Sequence, residues 1–318
     1  MKRASLKSIA ARAGVSKTTA SFVLNGKGDL HKISKSTQQR ILATAKDMDY
    51  HPSFLAQTLS SGITHTLGFI WNNEQADLLL PHLMTSLEKG QYRLLPGKAF
   101  SIDEKTKLVE DFLRRQTDAV IAFDDAEVGK WGRVLKEKNI PLLLIPSLVH
   151  PSGPILKSGL IHQLFNILLQ HHFQHHRKAI GYVGLSHSHP DLAKGFKECY
   201  LQRFGMNHHL LQGLSSNQEV PEALHRLADN PTKAIIFEHP ELLRRALSYL
   251  QNHPFDRLNE IAFSTLGWSN SFEWANPQVS AADLDYRQLA QSTADWVKEK
   301  PGQKPQLEFL KTNCRLYP

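Results

Sequence analysis

Ten lysines and arginines lie within residues 1–62 (Lys2, Arg3, Lys7, Arg12, Lys17, Lys27, Lys32, Lys35, Arg40 and Lys46), against the three acidic residues Asp29, Asp47 and Asp49. Ten against three is a formal +7, out of +8 for the whole 318-residue chain. Positive charge gathered in so short a segment is chemistry for holding a polyanion. Other side chains that invite chemistry lead less far. His171, His172, His175 and His176 contain two i, i+4 pairs, the spacing of metal ligands on a helix, but no carboxylate or cysteine is close in sequence. The stretch reads as a solvated histidine-rich turn, sensitive to mild acid, with no metal expected. Cys199 and Cys314 lie far apart without a CxxC or CxxH pattern, which speaks against a zinc finger or a disulfide framework and for a reducing compartment. Neither a Walker A loop, nor GxGxxG after a strand, nor a GxSxG elbow occurs, and GYVGLS at 181–186 fits none of them. Catalysis and a cofactor are therefore not expected.

The basic segment needs elements to carry it. Leu6, Ile9, Ala10 and Ala13 recur at helical spacing behind Ser5, a suitable N-cap. Gly14 can take positive φ, Val15 can tuck inward, and Ser16 can cap a second helix running through Leu24. That helix buries Thr19, Ala20 and Val23, with Leu24 beside them. It leaves Lys17, Thr18, Ser21 and Phe22 outward, where side chains reach base edges of a duplex. Asn25-Gly26 breaks it, a basic, glycine-containing loop runs to His31, and Ser34 or Ser36 starts a third helix with Ile41, Leu42, Ala45 and Met48 as its apolar set. After Pro52, the apolar residues Phe54, Leu55, Ala56 and Leu59 span too short a run to be helical in isolation, so 51–62 is expected to order only on docking.

These residues carry a resemblance. LKSIAARAGVSKTTASFVLNGK and SKSTQQRILATAKDMDYHPSFLAQTLSSGITHTLGFI, continuous over residues 4–70, resemble the lac repressor/GalR (LacI/GalR) family, and GVSKTTASFVLNGK with its extended loop is most similar to the fructose and sucrose repressor subgroup. The resemblance implies phosphate contacts from Ser5, Ser16, Thr19, Asn25, Ser34, Thr37 and Tyr50, and base reading by Lys17, Thr18, Ser21 and Phe22. Where many members have an arginine suited to guanine, this chain has Phe22, which offers apolar contact such as to a thymine methyl; core packing is the competing role for Phe22. The resemblance further implies that 51–62 is a hinge helix, with Gln57 beside the minor groove and Leu59 wedged into a base step. The domains expected are a helix-turn-helix unit at 1–50, this hinge, and an effector-binding and dimerisation core at 63–318.

Beyond Gly62, short apolar runs alternate with amphipathic stretches: THTLGFIW, 91–95, 118–123, 141–145, 178–184, 233–237, 260–264 and 278–283 are the strands expected. Such alternation predicts parallel sheets covered by helices. The fold class expected is thus a small all-α helix-turn-helix domain plus an α/β core. The resemblance makes that core two Rossmann-like subdomains, similar to periplasmic binding proteins, with a boundary near 157 and crossovers around 265–285 and 300–312. Effector residues are expected at the carboxyl ends of the strands: Trp71, Asn72, Asn73, Asp124, Asp125, Ser147, Ser186, Glu238, Trp268 and Ser269. Two of the family's sugar anchors are replaced. Leu192 stands where an arginine clamps the ligand, and Gly267-Trp268-Ser269 where an aspartate binds it. A phosphorylated sugar fits poorly, since its charge would lose its partners. Trp71, Phe123, Trp268, Phe272 and Trp274 are expected at the cleft mouth, and two readings stay open: a small-molecule effector, or a regulator with none. The partners expected are operator DNA of palindromic sequence and a second copy of the chain; the ending KTNCRLYP, without a leucine-rich tail, favours a dimer. With no signal-peptide run and no stretch of about 18 apolar residues, a cytoplasmic protein away from membranes is expected.

Overall fold

The computed structural model describes residues 4–50, 58, 61–72, 75–123, 127–146, 158–186, 190–205, 210–253, 258–298, 307–309 and 313–317. The chain forms two compact units, Met1–Thr64 and His65–Pro318.

The first unit is built from α1 (Leu6–Arg12), α2 (Lys17–Leu24) and α3 (Lys35–Asp47). Each begins at a serine whose Oγ accepts a backbone N–H one turn on: Ser5 from Ser8, Ser16 from Thr19 and Ser34 from Thr37. Ser34, not Ser36, is thus the cap of α3. These bonds satisfy amides that a helix start leaves without intrahelical partners. Gly14, at φ +63°, makes the turn between α1 and α2. Ile9, Ala10, Ala13, Ala20, Val23, Ile41 and Ala45 form one small buried cluster. Two expectations need correction. Thr19 is only half-buried, because its hydroxyl is drawn to Ser16 Oγ at 2.8 Å. Leu42 is exposed, since the position after Ile41 turns away from a core only one helix thick.

The second unit alternates strand and helix. β1 (Thr66–Trp71), β2 (Arg93–Lys98), β3 (Ala119–Phe123) and β4 (Leu142–Ile145) belong to a parallel sheet, in the order β10-β4-β3-β1-β2, where β10 (Leu307–Phe309) returns from the end of the chain. The second sheet has the order β11-β9-β8-β7-β5-β6, from β5 (Ile180–Leu185), β6 (Leu210–Leu214), β7 (Ala234–Phe237), β8 (Ala262–Leu266), β9 (Val279–Leu284) and β11 (Cys314–Tyr317). Only β11 runs antiparallel, to β9, among the described strands. Pro96 sits in β2, at a sheet edge where a missing N–H breaks no ladder.

Helices cover both faces of each sheet. α4 (Gln75–Glu88) and α12 (Tyr286–Lys298) pack on one face of the first, and α5 (Ile102–Arg114) with the short helices α6 (Val128–Trp131) and α7 (Arg133–Glu137) on the other. On the second sheet, α8 (Ser158–Gln174) and α9 (Pro190–Phe204) take one face, α10 (Val220–Ala228) and α11 (Pro240–Asn252) the other. The apolar stripes needed for this are continuous: Ile161, Leu164, Phe165, Leu168 and Leu169 of α8 are all buried. Leu284 of β9 and Tyr286 of α12 share a cluster with α4, so the chain passes from the second sheet to the first within two residues. The fold is therefore the expected one, a small all-α unit followed by a core of two helix-covered, largely parallel sheets.

Candidate nucleic-acid interface and inter-sheet cavity

On α2, Lys17 and Thr18 are exposed, and Ser21 and Phe22 are half-buried on the flank away from Ala20 and Val23. Helical periodicity alone produces this: with Ala20 and Val23 inward, positions 17, 18, 21 and 22 must face out. The Ser21 hydroxyl accepts from Asn25 Nδ2 at 3.3 Å, which leaves its proton free to donate elsewhere. Phe22 takes no part in the buried cluster of the unit. Its ring instead stacks on His31, with centroids 3.5 Å apart and planes 12° from parallel. Packing in the core, the competing role, is thereby set aside.

The loop that brings His31 to Phe22 is itself anchored. Lys35 Nζ meets both carboxylate oxygens of Asp29 at 2.8 Å. Gln38 Nε2 donates to Asp29 Oδ1 at 2.8 Å and to the Ile33 carbonyl at 2.7 Å. These bonds, that from Lys35 first and that from Gln38 next, hold the Asp29 carboxyl below its ordinary range. Gly28 lies beneath the loop, where a Cβ would stand 2.6 Å from the end of the Gln38 side chain and would displace it. Neither Asp29, Gln38 nor His31 was singled out by reading the sequence; the aromatic character of positions 22 and 31 was the available signal.

Ser5, Ser16 and Ser34 lie at helix starts, with Thr19 and Thr37 one turn on; Asn25 caps the end of α2 and is exposed, and half-buried Tyr50 packs against the helical core. Helix starts of this kind present N–H groups and positive dipole ends. Gln57 and Leu59 lie outside the described residues.

In the second unit, Leu78 and His82 of α4 face Trp268, Asn270, Phe272, Glu273, Gln278, Tyr286 and Tyr317 across a cavity of about 500 Å³. Trp268 stacks on Tyr317 with centroids 5.6 Å apart and meets Phe272 edge-on. Behind this wall lies a fully buried carboxylate. Asp283 accepts from the N–H of Trp268 at 2.7 Å and of Leu284 at 2.6 Å, and the Tyr286 hydroxyl lies 2.9 Å from both its oxygens. Gln75 Nε2 donates to that hydroxyl at 3.1 Å. Burial pushes the Asp283 carboxyl up to about 6, although these hydrogen bonds pull the other way. Sequence reading passed over Asp283, because Gln75 and Trp268, which complete its surroundings, come from segments distant in sequence.

The other expected effector residues are scattered. Trp71 is half-buried and stacks on Phe69, while Phe123 is buried in the core of the first sheet. Glu238 is buried, accepts from the Tyr182 hydroxyl at 2.8 Å and does not line this cavity. Ser186 is exposed beside Gly213, Ser269 accepts from Arg244 at 3.3 Å, and Leu192 packs against the cluster under α8 and α9. Trp274 is 88% exposed and does not line the mouth: its short 3₁₀ turn directs Phe272 inward and Trp274 out. Asn73, Asp124, Asp125 and Ser147 lie outside the described residues, while Asn72 closes β1.

The histidine stretch also needs correction. His175 and His176 are exposed, but His172 is buried, with Nε2 2.9 Å from Ser264 Oγ. Burial lowers its pKa to about 3, so it is a neutral core residue. Among the described residues, no group of three His, Cys, Asp or Glu could hold a metal ion, and no helix is long and apolar enough to cross a membrane.

Residues 5–53 match the model of the family described as bacterial regulatory proteins, lacI family. The sucrose operon repressor of Klebsiella pneumoniae is 26% identical over 96% of this chain and 95% of its own length. The catabolite repressor/activator of Escherichia coli K12 is 32% identical over 36% of each chain. The lac repressor dimer bound to operator and an anti-inducer shares the fold, at a TM-score of 0.67 and 16% identity over 98% of each chain. The family match lies on the three capped helices, which therefore form a unit of the kind found in bacterial regulatory proteins of the lacI family, and the likeness to the sucrose operon repressor runs on through both sheets.

Proposed function

We propose that the chain is a sequence-specific DNA-binding transcriptional regulator, a repressor that binds a palindromic operator as a dimer and acts by binding, not by catalysis, in the cytoplasm. The observation that carries this reading is the outward row Lys17, Thr18, Ser21 and Phe22 on a serine-capped helix, in the segment that holds +7 of the chain's charge. Phosphate neutralisation by the basic unit supplies affinity, and the side chains of this row supply selectivity among base pairs. Ser5, Ser16, Thr19, Asn25, Ser34, Thr37 and Tyr50 fix the register on the backbone, and Gln57 and Leu59 engage the minor groove. The lac repressor, whose fold this chain shares, is a dimer bound to both operator and an anti-inducer, which supports reading this chain as a DNA-binding dimer with a small-molecule effector.

An effector is the reading favoured over none, because the cavity beside Trp268 joins a helix of the first sheet to loops of the second. A molecule held there couples the positions of the two sheets. Its wall of Trp268, Phe272, Tyr286 and Tyr317 suits the face of a ring. The test is selection of operator sequences in vitro with the full chain, followed by gel shifts. A two-fold symmetric consensus whose binding falls on Lys17→Ala and Thr18→Ala is expected; equal affinity for all sequences would overturn the reading.

A further inference from the structure

The loop between α2 and α3 is more than a connection. Lys27 N donates to the Phe22 carbonyl, His31 N to Lys27, Lys32 N to Asp29 and Ile33 N to Gly28, so the backbone from 27 to 33 is hydrogen-bonded to itself and to the end of α2. Lys32 takes φ +53° to close it. Asp29 and Ile33 fasten the loop to α3 through Lys35 and Gln38. The product of all this ordering at the surface is one contact, the parallel stack of His31 on Phe22. His31 is exposed, and among the described residues its ring nitrogens make no hydrogen bond.

We propose that His31 is a specificity-determining positioning residue of the DNA-reading surface: by covering one face of Phe22 it holds that ring in a single rotamer, so the pair of rings, not Phe22 alone, selects the base pair. A phenylalanine on a helix flank has more than one staggered position available. A ring free to swing meets a thymine methyl in one position and misses it in another, which blunts discrimination. Stacking removes the second position, and the loop supplies the stacking partner at little entropic cost because α3 already holds it. The proposal rests on the base-reading role of Phe22 given above.

The experiment measures the full-length chain on its selected operator and on every single-base-pair variant of it, at several salt concentrations, for wild type, Phe22→Ala, His31→Ala and His31→Phe. Phe22→Ala is expected to lose preference at one symmetric position. His31→Ala is expected to lower discrimination at that same position by about two- to tenfold, the value of one aromatic pair. Its slope of log affinity against log salt stays unchanged, since no phosphate contact is removed. His31→Phe, which keeps a stacking ring, restores the preference. The proposal is overturned if His31→Ala weakens all sequences equally with a shallower salt slope, the mark of a phosphate contact, or leaves discrimination intact, or if His31→Phe does not rescue. Should Phe22→Ala itself change no base preference, the reading of Phe22 fails first, a distinct result. If His31→Ala shifts the melting of the helical unit, His31→Leu against His31→Phe decides, because both fill the space and only one stacks.

Discussion

The backbone N–H of Trp268 donates to the buried carboxylate of Asp283 at 2.7 Å, binding the loop after β8, which lines the cavity, to the strand end where the chain crosses between sheets. The Tyr286 hydroxyl approaches the same carboxylate, so one side chain positions two walls of the cavity.

That carboxylate has a stability signature. Its pKa in the folded chain is about 6, above the ordinary 3.8, so the folded state holds a proton that the unfolded state has released. Its contribution is fully present below about pH 3.8 and is lost as pH rises through 6. Relative to wild type, Asp283→Asn should therefore gain about 1.4 kcal/mol per pH unit between pH 4 and 6. Urea unfolding across that range measures it, and a constant difference would contradict the assignment.

His172 works in the opposite sense. Its pKa falls from 6.5 to about 3 on burial, so its contribution is present above pH 6.5 and is lost as pH falls toward 3. Replacing it with glutamine, which can still meet Ser264, should flatten the acid limb of stability by up to about 1.4 kcal/mol per pH unit. Equal acid sensitivity of variant and wild type would show that the ring is not buried neutral.

Ser34 is a local test of the helical unit. Ser34→Ala leaves the Thr37 N–H without its cap and should cost about 0.5–2 kcal/mol, visible as a lower helical melting temperature by circular dichroism. Ser36→Ala should be nearly silent, because the cap is Ser34.

Gly28→Ala tests the loop. The added Cβ displaces Gln38 and with it the bonds to Asp29 and Ile33, so faster amide hydrogen exchange at residues 29–33 is expected. Protection unchanged from wild type would mean that Gln38 does not hold the loop.

Phe22→Arg tests the reading surface by gain instead of loss. An arginine can donate two hydrogen bonds to guanine, worth about 1–3 kcal/mol of discrimination. Operators selected with this variant should carry a guanine at the position where wild type tolerates or prefers thymine. An unchanged consensus would remove position 22 from the reading surface.

The sequence by itself determined whatever depends on neighbours within one turn or one strand. Ser5, Ser16 and Gly14 could be placed because a cap acts three residues away and a turn one residue away. The central strands β1, β3, β4, β5, β7 and β8 were legible as apolar runs because both their faces are covered. Only the tertiary structure decided the rest. β6, β10 and β11, all at sheet edges, escaped the sequence reading, whereas the edge strand β2 was legible at 91–95. Trp274 was expected at the cleft mouth and is in solvent, and His172 was expected in solvent and is in the core. Residue type states what a side chain can bury, not whether the fold turns it inward. Asp283 draws its partners from residues 75, 268, 284 and 286, and Phe22 meets His31 only because Asp29 and Gln38 tie the loop to α3. Contacts of that range depend on where distant elements come to rest, a property of packing that no local spacing encodes.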